Sequence, residues 1–304
     1  MRLESHAEPG PRRRAAAALL AALRPAQWTK NAVVLAPLVF ALRATDRASA
    51  ARALLATALF CLLASAAYLG NDVADRERDR RHPRKRHRPV AAGELTVRAA
   101  LAAALVLAAS GLAAAAALGP GVLACAAGYA GLQVLYSRTL KHLPLLDVFA
   151  IAGGFVLRAV AGAEAIDVPV SGWLYLCTLL LALFLALEKR RAELALLDDG
   201  AAEHRAALGA YSPALLDQLV TVVAACTILA YALYTVAPDT VAKFGSDRLK
   251  YTLPFVLFGI FRYLYLVARQ GRGGEPERVL LGDPQLRAVV LGWGVVVAWA
   301  LYLR

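Results

Sequence analysis

Long apolar runs alternate with short polar segments from Trp28 to the end of this 304-residue chain. The runs fall at about 28–45, 50–71, 97–117, 120–138, 146–164, 171–188, 213–236, 251–269 and 286–303. Each has at least 18 residues, within the range of about 17 to 25 with which helices cross a hydrocarbon core about 30 Å thick. The pattern predicts an all-α integral membrane protein with nine transmembrane helices in a single domain over 28–304, preceded by a tail and interfacial segment over 1–27. The links Leu118-Gly119-Pro120-Gly121 and Asp167-Val168-Pro169 are so short that the runs they join must form antiparallel hairpins. Ala-rich runs such as 99–117, with Gly111, present small surfaces. Helices associate in lipid through such close approach, because no hydrophobic force draws them together there.

Composition agrees, with 60% of residues hydrophobic and 18% charged. The charge is lopsided. Of the 34 lysines and arginines, 25 fall in segments that this topology puts on the side of the N-terminus and 7 on the other side, with Arg158 and Arg262 inside or at the edge of runs. Such an excess marks the cytoplasmic side. The net charge of +12 is thereby explained, and no aromatic-rich motif accompanies it to suggest a nucleic-acid partner. The first residues do not read as a cleaved leader. Cys61, Cys125, Cys177 and Cys226 sit in separate apolar runs and read as packing residues, indicating neither zinc nor a disulfide framework. The five histidines occupy polar segments, and there is no Ser/His/Asp arrangement and no Walker-type loop.

Candidate chemistry concentrates in the inward loops. The first reads Asn71-Asp72-Val-Ala-Asp75-Arg-Glu-Arg-Asp79 and continues to Arg84, Lys85, Arg86 and Arg88. If the preceding helix runs through it, Asp72, Asp75 and Asp79 stand at i, i+3 and i+7 on one face. Carboxylates so placed suit Mg2+, which keeps several waters and is shared with substrate phosphates; the cations downstream can take the remaining phosphate oxygens. The stretch reads as a site for a magnesium-bound diphosphate, the alternative being a solvated loop that only sets topology. The second loop offers Asp147 as a further metal ligand or as a helix N-cap, with Tyr136 and Lys141 placed to hold phosphate oxygens. Arg158, eleven residues beyond Asp147, lies about 16 Å deeper, where a charge must be paired or line a wet cavity. It either binds an anion or neutralises a carboxylate, Glu164 and Glu188 being the nearest in sequence. The third loop opens Glu188-Lys189-Arg190-Arg191, a phosphate-binding rim or an amphipathic surface turn. Lys30 and Asn31, after the interfacial aromatic Trp28, form a similar polar start to the first run.

Taken together, these motifs resemble the UbiA superfamily of intramembrane prenyltransferases. Asn71-Asp72-x-x-Asp75-x-x-x-Asp79 is similar to its first aspartate motif, Tyr136-x(4)-Lys141-x(5)-Asp147 to its second, and the likeness spans nearly the whole chain. Segments 24–31, 82–93, 140–147, 154–162, 261–263 and 273–276 resemble one branch, the polyprenyl-phosphate phosphoribosyltransferases. The resemblance implies a UbiA-like bundle of nine helices with a polar active-site cavity on the cytoplasmic side, in a bacterial plasma membrane. It implies Mg2+ on Asp72, Asp75, Asp79 and Asp147. The reaction implied moves 5-phosphoribose from 5-phosphoribosyl 1-diphosphate (PRPP) to a polyprenyl (decaprenyl) phosphate, releasing diphosphate and yielding a cell-wall arabinan precursor. Lys85, Arg88, Tyr136 and Lys141 would orient the diphosphate, and Arg158 or Lys189 and Arg190 would hold the donor's 5-phosphate or the lipid phosphate; Lys30, Asn31 and Asn71 complete the substrate-binding set. A homo-oligomer is compatible with this pattern. Two positions depart from it: Ile151 stands where the superfamily usually has a second acidic residue, and Glu188 where a glycine is expected. An aromatic prenyltransferase using an isoprenyl diphosphate shares the aspartate chemistry and is the alternative. A non-catalytic carrier of anionic lipid would call for a matched pair of broken spans, which the sequence lacks.

Overall fold

A computed structural model of the chain describes residues 11–83, 85–197, 209–270 and 276–303. Arg84 of the basic block, His6, His204 and Gly273-Gly274-Glu275 of the late motif lie outside the described residues. All the regular structure described is helical. Helix α1 (Pro11–Leu23) leads into a 3₁₀ stretch (Pro25–Leu35) and α2 (Ala36–Phe40). Then follow α3 (Arg47–Ala74), α4 (Arg76–Arg81), α5 (Pro89–Ala92), α6 (Val97–Leu118), α7 (Pro120–Arg138), α8 (Leu146–Ala165) and α9 (Gly172–Leu197). The last part contains α10 (Pro213–Val236), α11 (Pro238–Phe244), α12 (Leu253–Gln270), α13 (Pro276–Gly282) and α14 (Pro284–Tyr302).

Among the described residues, 7 helical segments are long and apolar enough to cross a membrane: α3, α6, α8, α9, α10, Arg248–Arg269 and α14. Each coincides with a run expected from the sequence. The run at 120–138 also forms one helix, α7, made more polar by Tyr129 and Gln133. The first run, 28–45, does not form a single α-helix, so the nine expected spans are not matched one for one. Pro37 has no N–H to donate to a continuing helix, and Leu42, at φ 58°, turns the chain out of α2. The 3₁₀ stretch is also pressed against α8. A Cβ on Gly162 would lie 2.1 Å from the Val34 carbonyl oxygen, so only glycine permits that approach.

Helix α8 is the hub. Its first half (Val148, Ala152) packs into a core with Phe184, Leu187, Leu216 and Tyr263. Its second half (Ala161, Ala165) packs with Val34, Phe60, Ala115 and Tyr129 in another. Helices α3 and α6 meet at Gly111, where a Cβ would stand 2.9 Å from Leu63, as expected of a small-residue contact in lipid. At the end opposite the aspartates, Arg52 donates to the carbonyls of Leu118 and Ala165, supplying partners to the C-terminal turns of α6 and α8. Helix α1 is docked through Ala18 and Ala22 onto Leu69, Val90, Leu95 and Ala100. Of the four free cysteines, Cys125 is buried as a packing residue should be, Cys61 and Cys177 are half-buried, and Cys226 is exposed.

Candidate active site

The aspartate run does not continue as one helix. α3 stops at Ala74, Asp75 has φ −96° and ψ 6°, and α4 starts at Arg76. Backbone bonds bridge the kink, from Asp75 N–H to the Asn71 carbonyl (2.9 Å) and from Asp79 N–H to the Asp75 carbonyl (2.8 Å), so the three carboxylates stay close in register. Asp72 and Asp79 are buried and converge on one nitrogen: Arg88 Nη1 donates to Asp72 Oδ1 at 3.1 Å and to Asp79 Oδ2 at 2.7 Å. Arg24 Nη2 donates to the same Asp72 oxygen at 2.5 Å, and its guanidinium lies over the Tyr68 ring. Asp75 turns instead to Lys141, whose Nζ reaches its two oxygens at 2.8 and 3.0 Å. The Ser137 hydroxyl donates to Asn71 Oδ1 and so ties α3 to α7.

Asp147, expected to add a metal ligand opposite the first cluster, is held by its own set of partners. It is fully buried; Arg190 Nε donates to Oδ2 at 2.5 Å and the Tyr211 hydroxyl to Oδ1 at 2.8 Å. Arg190 also donates to Glu193 at 2.6 Å and to the Tyr136 hydroxyl at 3.2 Å. With a donor on each oxygen, this deeply desolvated carboxylate anchors α8 to α9. Arg190, expected on the phosphate rim, is buried within this network. Asn31 is buried, donates to Cys61 Sγ at 3.1 Å, and is not among the described residues that line the cavity. Lys189 lines the cavity, 4.0 Å from Glu193. Trp28, expected as an interfacial anchor, donates its indole N–H to Ser65 Oγ at 3.1 Å.

These groups surround a cavity of about 1530 Å³. At one end are Asp72, Asp75, Asp79, Lys85, Arg88 and Lys141; the wall then becomes apolar with Phe155, Leu181, Phe184 and Ile260, and Asp239 and Lys243 line the far end. Arg158 lines it as well, and finds neither Glu164 nor Glu188 as counter-ion; Glu188 pairs with Arg191 at 3.0 Å. The far-end Lys243 has its ammonium pKa pushed down, by burial first.

Among the described residues no three His, Cys, Asp or Glu side chains form a ready-made metal cage. A magnesium ion shared with a diphosphate needs less, one or two carboxylates and several waters. Asp72 suits that need: the residue lines the cavity, and its buried Oδ2 has no hydrogen-bond partner among the described residues. An unpartnered carboxylate oxygen beside a second carboxylate, ringed by Arg24, Arg88 and Lys141, fits a divalent cation that arrives with phosphates. Sequence reading missed Arg24, Ser137, Tyr129, Gln133, Glu193 and Tyr211. Two signals were there: Arg24 opens a segment that resembles the family branch, and Tyr129 and Gln133 are polar side chains at i, i+4 within an apolar run.

Known proteins bear on this geometry. The profile of the UbiA prenyltransferase family matches residues 32–281. A Corynebacterium glutamicum protein named decaprenyl-phosphate phosphoribosyltransferase is 36% identical over 305 residues, covering 99% of this chain and 92% of its own. A protein of the same name from Mycolicibacterium smegmatis is 35% identical and covers 98% of this chain and 97% of its own. The structure of a UbiA homologue from Archaeoglobus fulgidus, bound to GPP and Mg2+, superposes with a TM-score of 0.70 at 21% identity, covering 93% of this chain and 96% of that one.

Proposed function

This chain belongs to the UbiA prenyltransferase family, and from that premise we propose that it transfers 5-phosphoribose from PRPP to a polyprenyl phosphate, decaprenyl phosphate in the relatives' names, releasing diphosphate. The observation that carries the reading is near-full-length identity of about 35% to proteins so named, in a chain whose acidic and basic groups meet at one end of an apolar cavity. That end would face the cytoplasm of a bacterium, where PRPP is soluble, while the apolar wall would take the isoprenoid.

Asp72, Asp75 and Asp79 would hold Mg2+, which when bound supplies Lewis-acid stabilisation of the leaving diphosphate. Lys141, Arg88, Arg24 and Lys85 would bind and orient the diphosphate oxygens by charge-assisted hydrogen bonds. To do so, Arg24 and Arg88 would exchange Asp72 and Asp79 for phosphate. The C1–O bond of the donor breaks and an acceptor phosphate oxygen forms the new bond to C1, the electron pair leaving with diphosphate. A phosphate monoester is already largely ionised at neutral pH, its second pKa being about 6, so no strong general base is called for. The apolar wall would exclude water that could intercept the ribosyl centre.

The test is an assay of the full-length protein with labelled PRPP and polyprenyl phosphate, run beside an isoprenyl diphosphate with an aromatic acceptor. Lipid-extractable ribose phosphate in the first reaction alone is the expected result. Prenylated aromatic product in the second, with none in the first, would replace this reading by the aromatic prenyltransferase.

A further inference from the structure

Among the described residues, Arg158 pairs with no carboxylate. Its side chain is 5% exposed and lines the cavity. Nη2 donates to the Tyr129 hydroxyl at 2.7 Å and Nη1 to the Gly154 carbonyl at 3.3 Å, while the rings of Tyr129 and Phe155 lie 4.5 and 5.1 Å from its Cζ. Its Nε–H has no acceptor. The Tyr129 oxygen takes a second hydrogen bond, from Gln133 Nε2 at 2.6 Å. With two donors on that oxygen, the phenol's own proton has no acceptor among the described residues. Turning the Gln133 amide over would give the phenol an acceptor and leave the amide N–H groups without one. In either arrangement the cluster carries a full positive charge and more donors than acceptors.

Such a charge is costly to bury, and the two ring faces offset only part of the cost. What would complete the cluster is an anion with several oxygens, matched to a guanidinium fork. We propose that Arg158, Tyr129 and Gln133 form a seat for a phosphate monoester, distinct from the aspartate end of the cavity. The seat itself follows from this geometry; its use in a reaction rests on the proposed phosphoribosyl transfer. Two reactants carry that chemistry, the donor through its 5-phosphate and the acceptor through its lipid phosphate.

Binding to the purified full-length protein, without turnover, tests the seat with two probes: ribose 5-phosphate and the short-chain farnesyl phosphate. One of them is expected to bind, which identifies the source. Arg158→Gln should weaken that binding about 10- to 100-fold, the range of a charge-assisted hydrogen bond. Arg158→Lys, which keeps charge and volume, should fall between, and Tyr129→Phe should lose a few-fold. Asp72→Asn should leave monoester binding within about twofold while abolishing magnesium-dependent diphosphate binding. If neither probe binds wild type, if Arg158→Lys and Tyr129→Phe both bind as wild type does, or if Asp72→Asn costs as much as Arg158→Gln, the seat is overturned. Wild-type protein that binds a monoester through Arg158 yet transfers no phosphoribose would sink the transfer and leave the seat standing.

Discussion

Two acidic clusters sit at the same end of the bundle, built from the same residue types and put to opposite uses. Around Asp72 and Asp79, the cations are partly exposed, and one buried oxygen of Asp72, a residue that lines the cavity, is unpartnered among the described residues. Around Asp147, the carboxylate and Arg190 are both sealed and every oxygen is engaged. The difference teaches that a site is marked less by its charges than by an unfilled valence on a residue that lines a cavity. Asp72 can change partners. Asp147 can only lose them.

The largest break in this comparison should come from Asp72→Asn. It leaves the cluster's shape but removes the charge that would hold the cation, and turnover should fall on the order of 10³-fold with the melting temperature little changed. Chelation of divalent ions in wild type should do the same. A loss under about tenfold would show that Asp72 is not the centre of the site.

Asp147→Asn should invert that pattern. Breaking a buried ion pair costs about 3–5 kcal/mol, and the low end applies because Glu193 still shares the Arg190 guanidinium. Denaturation should therefore show about 3 kcal/mol of lost stability, while the folded fraction keeps its turnover. The double variant Asp147→Asn with Arg190→Gln should recover part of the loss, since no uncompensated charge is then left inside. Full stability with abolished turnover would return Asp147 to the metal-binding set.

Lys141→Met sharpens the boundary between the clusters, because Lys141 is buried yet bonded to the more exposed Asp75. If it grips the donor, the KM for the donor should rise about 10- to 100-fold, as for a lost charge-assisted hydrogen bond, with the KM for the lipid unmoved. A change confined to stability would make it a second strut.

Most of the bundle was legible in the sequence because apolar runs of membrane length have few alternatives to helix. The exception, 28–45, turned on a close approach between distant segments: Gly162 admits Val34, a contact that residue periodicity does not encode. At the site, the register of Asp72, Asp75 and Asp79 was legible, but their partners were not. Lys141 lies 66 residues from Asp75 and Arg24 48 from Asp72, so their pairing is set by the packing of helices. The partners of Asp147 were hidden for the same reason: Arg190 lies 43 residues away and Tyr211 64. An aspartate opening a membrane helix looks alike in sequence whether it faces a cavity or a buried arginine.

The smallest effect should come from Tyr211, the second partner of Asp147. Its hydroxyl donates to Asp147 Oδ1 at 2.8 Å and accepts from Leu145 N–H at 2.7 Å, holding Leu145 at φ 66°. Tyr211→Phe removes both hydrogen bonds, the one to Asp147 and the one from Leu145 N–H, which should cost about 2 kcal/mol. The alkaline limb is the sharper measurement. Burial, joined by the Asp147 charge and hydrogen bond, pushes the Tyr211 hydroxyl up from 10.0 to about 12, against the opposing Leu145 N–H and Arg190 charge. A raised acid pKa means the folded state holds the proton more tightly, so this contribution is fully present below pH 10 and is lost as pH rises toward 12. Wild type minus Tyr211→Phe stability should therefore be flat through neutral pH and shrink only across that alkaline window. A difference that shrinks near pH 7 instead would place a different titrating group beside Asp147, and the sealed character of this cluster would have to be given up.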